Sequence, residues 1–119
     1  TDVGSIKVGF QICTELLFSD ASRSLGQAGA HLIAAPRATS GHRRWQMAAC
    51  MPAVMAGAFV ACTNRRSIAG DAFAGESWLV SPEGEVLSAT NADEPYQTVE
   101  VDFDDAERAK RTYPRSLYV

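Results

Sequence analysis

Two short runs constrain the fold of this chain more than anything else in it. Ala30-His31-Leu32-Ile33-Ala34-Ala35, closed by Pro36, and Ala58-Phe59-Val60-Ala61-Cys62-Thr63 are almost continuously apolar and do not alternate. They read as strands buried on both faces, which places them inside a layered α/β arrangement. Each such strand needs a covering layer above and below. Ser19 or Asp20 is expected to cap a first helix with Ala21, Leu25 and Ala28 on one face and Gly29 as its stop. Trp45, Ala49, Pro52 and Ala56 space a second helix over 42–57, which Pro52 is expected to kink or split by removing a backbone bond. Two helices of this kind cover one side of a sheet only.

The remainder follows antiparallel logic. A strand over 77–81, a Pro82-Glu83-Gly84 turn and a strand over 86–89 read as a hairpin. A further strand is expected over 97–103, with Val99, Val101 and Phe103 to one side, before Asp104-Asp105-Ala106-Glu107 opens a last helix with acids at its positive end. No linker, repeat or low-complexity stretch interrupts residues 1–119, so the chain reads as one unit.

Composition narrows the function classes. Hydrophobic residues make up 46% and charged residues 21% of the 119 residues, a globular balance that argues against disorder or coiled coil. A net charge of -3 argues against nucleic acid or an anionic membrane as the main partner, and Arg43-Arg44 and Arg65-Arg66 read as solvated flanks of a helix and a strand. No apolar run approaches membrane-spanning length. Three cysteines, with Cys50 and Cys62 in apolar surroundings, form no disulfide framework, and reducing cytoplasm is the expected location. His31 and His42 lack metal-ligand spacing, no Gly-rich phosphate loop or Gly-x-Ser-x-Gly elbow is present, and no cofactor is called for.

One thiol stands apart. Ile6, Val8, Phe10 and Ile12 alternate with Lys7, Gly9 and Gln11, the pattern of a strand with one buried face, and Cys13 falls opposite the apolar set just where strand gives way to helix. A nucleophile belongs in such a place.

The stretch Val8-Gly9-Phe10-Gln11-Ile12-Cys13-Thr14-Glu15-Leu16-Leu17-Phe18 resembles the nucleophile segment of the nitrilase superfamily, the carbon-nitrogen hydrolases. The likeness continues in order through the helix over 21–30, the strand over 31–36, the helix-strand pair ending in Asn64-Arg65, the segment Phe73-Ala74-Gly75-Glu76-Ser77-Trp78 and the turn Pro82-Glu83-Gly84-Glu85. It implies a four-layer α-β-β-α sandwich, of which this chain resembles the C-terminal half and contributes to both sheets. It implies hydrolysis of a non-peptide carbon-nitrogen bond in a small amide, carbamoyl compound or nitrile through a thioester on Cys13, with the Thr14 backbone N–H as an oxyanion donor. Arg37, just beyond a strand end, matches a position that lines the substrate pocket. The family's glutamate base and lysine lie upstream of its cysteine, whereas the twelve residues before Cys13 hold Lys7 and no glutamate. Their opening at Thr1 fits a fragment or processed product, inactive alone. Leu17 stands where some amidases carry an arginine that grips a substrate carboxylate. Glu15 matches an acidic family position and is equally read as a local ion-pair partner; Asp20 is read as a cap, and Trp45 and Trp78 as core anchors.

A thiolate supplies the nucleophile that amide hydrolysis needs at neutral pH, and preorganised N–H donors hold the charge that develops on oxygen. The alternative is a non-catalytic module that keeps the family's dimerising surface. Either way an apolar sheet face is left to cover, and a homo-oligomer is expected.

Overall fold

Residue order along the chain becomes strand order across the sheet. The computed structural model describes residues 1–68 and 73–118, and in them six strands lie side by side in the order β1 to β6. These are β1 (Asp2–Val3), β2 (Ile6–Phe10), β3 (Leu32–Arg37), β4 (Phe59–Asn64), β5 (Trp78–Val80) and β6 (Val86–Ala89). β2, β3 and β4 pair in parallel; β1, β5 and β6 are antiparallel to their neighbours. Parallel neighbours need crossovers, and helices α1 (Ser19–Gln27) and α2 (Arg44–Ala56) supply them. Both lie on the same face. The expected share in two sheets is not seen among the described residues, because the β5–β6 hairpin adds to the β4 edge through Ala61↔Leu79 and Cys62↔Trp78.

Register divides the sheet into two unlike faces. Ile33, Ala35, Val60, Cys62, Trp78 and Val80 point into the layer formed by α1 and α2 and are buried there with Ala48, Ala49, Ala53 and Ala56. Alanine on the inner face of α2 lets helix and sheet approach closely. Gly26 of α1 does the same between the helices, since a Cβ there would stand 2.6 Å from the Ala56 carbonyl oxygen. α2 runs unbroken through Pro52, correcting the expected split, and ends where Gly57 takes a left-handed φ of 62°.

The other face carries Val8, Phe10, Leu32, Ala34, Ala61 and Leu79, and neither α1 nor α2 lies on it. Here the expectation for β2 is reversed. Gly9 and Gln11 are buried, while Phe10 is 55% and Ile12 58% exposed. A Cβ on Gly9 would stand 2.7 Å from Leu25 Cδ2, so this strand meets α1 with its glycine and amide side and turns its apolar side outward.

Three smaller expectations are also corrected. Phe18 takes the cap position of α1 and no side chain caps it; Asp20 sits in the first turn and pairs with Arg23, because the 3₁₀ turn ahead of it delivers the chain directly into the helix. The buried position on that helix is Ser22, while Ala28 is exposed. Residues 97–103 form no strand, since no ladder pairs with them; they run to α3 (Asp104–Lys110), and the Phe103 ring packs edge-on against Phe59 at 5.5 Å. Lys110 then fastens α3 across the amino ends of the parallel strands, donating to the carbonyls of Ala30 at 2.5 Å and Gly57 at 2.8 Å.

Candidate active site

The parallel register brings three strand ends to one level. Phe10 pairs with Ala34 and Ala34 with Ala61, so Cys13, Arg37 and Asn64 each lie three residues beyond a common row. Ligands in open α/β sheets bind at the carboxyl ends of the strands, and this is that edge.

Cys13 opens a 3₁₀ turn, Cys13–Leu17, and is the one non-glycine residue with positive φ among those described, at 53°. An L residue there is held against its own preference, a condition that persists only when neighbours fix the backbone. They do so on both sides. The Ile12 N–H donates to the Glu15 carboxylate at 2.8 Å, and the Glu15 N–H returns to the Ile12 carbonyl at 3.1 Å. Glu15 therefore acts as an orienting group for the turn. Gln11 is buried directly before it; its amide donates to the Glu15 carbonyl at 2.9 Å, and the Ser22 hydroxyl lies 3.0 Å from its nitrogen and 3.2 Å from its oxygen. Strand end, turn and α1 are thus tied through one amide side chain. Cys13 itself is partly exposed, and Thr14 and Leu17 are exposed.

Arg37 follows at the same level but faces the helix layer. The residue is 6% exposed, and its guanidinium donates to Cys62 Sγ at 3.0 Å, to the Glu76 carbonyl at 2.5 Å and to the Thr39 hydroxyl, and stacks over Trp78 at 4.2 Å. Arg37, which the resemblance places in the lining of the substrate pocket, thus spans β3, β4 and the loop before β5. Burial pushes the Cys62 thiol up despite the neighbouring cation, and burial likewise raises Cys50. Both thiols are thereby made less prepared to react.

Asn64 completes the edge. Its side-chain oxygen accepts the Thr39 N–H at 2.9 Å and its amide donates to the Thr39 carbonyl at 3.1 Å, copying a strand neighbour. Its own N–H donates to Ser77 Oγ at 2.9 Å, and Ser77 N–H to Thr90 Oγ1 at 2.9 Å. Sequence reasoning passed over Gln11, Ser22 and the amide role of Asn64. The signal for Gln11 was its parity, since it shares the side of Gly9 and Cys13. No group of three or more potential metal ligands occurs among the described residues, His31 being held between the Lys7 N–H at 2.9 Å and Glu107 at 2.7 Å.

The family pattern for carbon-nitrogen hydrolases matches residues 1–111. The chain belongs to that family. It is 34% identical over 119 residues to an omega-amidase, chloroplastic, from Arabidopsis thaliana, a match covering 96% of this chain and 32% of that protein. It is 33% identical over 115 residues to an (R)-stereoselective amidase from a Pseudomonas species, covering 91% and 41%. Among solved structures, a carbon-nitrogen hydrolase from Helicobacter pylori G27 matches with a TM-score of 0.79 at 20% identity, over 96% of this chain and 46% of that one. A Nesterenkonia amidase of the nitrilase superfamily, solved with acrylamide added at its active site cysteine, matches with a TM-score of 0.69 at 24% identity, over 76% and 37%. This carbon-nitrogen hydrolase chain thus spans less than half the length of these relatives, and the open face of its sheet belongs to a partial fold. No helix among the described residues is long and apolar enough to cross a membrane.

Proposed function

We propose that the chain carries the nucleophile of an amidase-type hydrolase acting on small amides, carbamoyl compounds or nitriles, with Cys13 forming the thioester. The observation that carries this reading is the left-handed backbone of Cys13 at the carboxyl edge of the parallel strands, braced by Gln11 and Glu15. At the start of the 3₁₀ turn, the first N–H groups have no partner within the turn, and the Thr14 N–H serves as oxyanion donor when Cys13 attacks. The tetrahedral intermediate expels ammonia or an amine, and an activated water cleaves the thioester. Arg37 and Asn64 act as positioning residues, holding the loops beyond β3, β4 and β5 in one frame. The base and lysine that the family employs have no counterpart among residues 1–12, so this chain by itself stops at acylation. The whole protein works in the cytoplasm as a homo-oligomer, and Phe10 and Ile12 are seats for covering chain.

The test uses p-nitrophenyl acetate. One equivalent of nitrophenolate without steady turnover, with the acetyl group mapped to Cys13, is expected. Acetylation of Cys50 or Cys62 ahead of Cys13 overturns the nucleophile assignment. Multiple turnover abolished by Cys13→Ala shows that the residues present suffice and removes the need for further groups.

A further inference from the structure

Among the described residues the two most deeply buried polar ones are Gln11 and Ser22, at 1% and 0% exposure, and their side chains touch each other. Ser22 is also the fully buried position of α1, where alanine would pack without desolvating a hydroxyl. Replacing both partners of a buried hydrogen bond by apolar groups of the same shape is close to neutral for a fold. Stability therefore does not explain the pair.

Its hydrogen bonds lead to one place. One amide proton of Gln11 goes to Ser22 Oγ at 3.0 Å, the Ser22 hydroxyl returns to the amide oxygen at 3.2 Å, and the other amide proton goes to the Glu15 carbonyl at 2.9 Å. The backbone of Gln11 stays in the sheet, its N–H donating to the Ala34 carbonyl at 3.2 Å. Between these two anchors lie Ile12, Cys13 and Thr14. This stretch contains the φ of 53° at Cys13, and neither the Cys13 nor the Thr14 N–H donates to backbone. The peptide that carries the oxyanion donor is thus oriented from its two ends. Glu15 ties the turn only to Ile12 beside it, whereas the Gln11–Ser22 pair ties it to α1.

Resting on the reading of Cys13 as nucleophile, we infer that Ser22 is a positioning residue for acylation. Acting through Gln11, it sets the Cys13–Thr14 peptide so that the thiolate and the N–H donor meet the same carbonyl group.

Two thiol reagents separate this role from a merely structural one. With p-nitrophenyl acetate the thiolate adds to the carbonyl carbon, charge develops on oxygen, and p-nitrophenolate leaves, so the Thr14 N–H is needed. With iodoacetamide a carbon–sulfur bond forms and iodide leaves, and no oxyanion arises. The ratio of the two rates at Cys13, assigned by peptide mapping, cancels thiolate fraction and exposure. Gln11→Met/Ser22→Ala removes both partners and should keep the urea midpoint of the unaltered chain. Its ratio of acylation to alkylation should fall about tenfold or more, the scale of a misplaced reacting group. Ser22→Ala alone should give most of that fall, and its effect and that of Gln11→Met should be far from additive, since one acts through the other. A double variant with the ratio of the unaltered chain overturns the role, as does a Ser22→Ala variant that keeps the ratio while Gln11→Met loses it. Alkylation of buried Cys62 as fast as Cys13 in the double variant also overturns it, making the pair a brace of the core. Absent acetylation of Cys13 in the unaltered chain, or acetylation of Cys50 or Cys62 ahead of it, instead overturns the nucleophile reading.

Discussion

Replacing Cys13 by glycine should yield a more stable protein than replacing it by alanine, the reverse of the usual order at the start of a helical turn. The backbone there sits at φ 53°. Left-handed backbone costs an L residue about 1–2 kcal/mol that glycine avoids. Glycine in turn loses more chain entropy on folding, about 0.4–1 kcal/mol. The balance favours Cys13→Gly over Cys13→Ala by about 0.5–1 kcal/mol, whereas ordinary helical propensity favours alanine by about 1 kcal/mol. Both variants lack the thiol, so its lost contacts cancel and the sign isolates the backbone. Urea unfolding followed through Trp45 and Trp78 fluorescence reads the difference; with a slope of about 1–1.5 kcal/mol/M, the glycine midpoint should lie higher by about 0.3–1 M. Neither variant should be acetylated at position 13. An alanine variant as stable as the glycine variant, or more so, would refute the claim that Cys13 is held in strained backbone.

Gly26→Ala should destabilise by about 1–3 kcal/mol despite the higher helix propensity of alanine, because the added Cβ meets backbone atoms of Ala56 at 2.6 and 2.8 Å; Ala56→Gly should not rescue it, and a neutral or rescued urea midpoint would count against the contact. Burial holds the Lys110 ammonium below the usual lysine range, so between its folded value and the unfolded value near 10.4 the unfolded chain binds more protons and stability rises with pH. The urea midpoint of the unaltered chain should therefore gain on that of Lys110→Met from pH 8 to about 10; a flat or falling difference contradicts the assignment.

The doubly apolar runs announced β3 and β4, and helical spacing announced α2, because burial imposes its pattern directly on composition. β2 shows where that reasoning stops. Alternation revealed which residues share a face, but it carries no statement of which face meets the helices. In β2 the close approach of α1 selects Gly9, and the apolar side is left for chain outside this layer. Residues 97–103 failed as a strand for a related reason: period two makes a segment compatible with a ladder, while the ladder needs a neighbour. Near the proposed site, the placement of Cys13 between strand and turn was legible from its position. Its bracing was not, since Gln11, Ser22 and Asn64 act through polar contacts that leave no periodic trace.

Arg37 also bears on which substitutions this position tolerates. Its guanidinium donates toward a thiol, a hydroxyl and a carbonyl in three directions while its flat face rests on an indole. Lysine retains the charge but offers a single tetrahedral donor and no plane, so by the ordinary scale of amino-acid similarity the mildest exchange available still abandons most of these contacts. Position 37 has no near neighbour in sequence space; drift there must carry Thr39, Cys62 and Trp78 along with it.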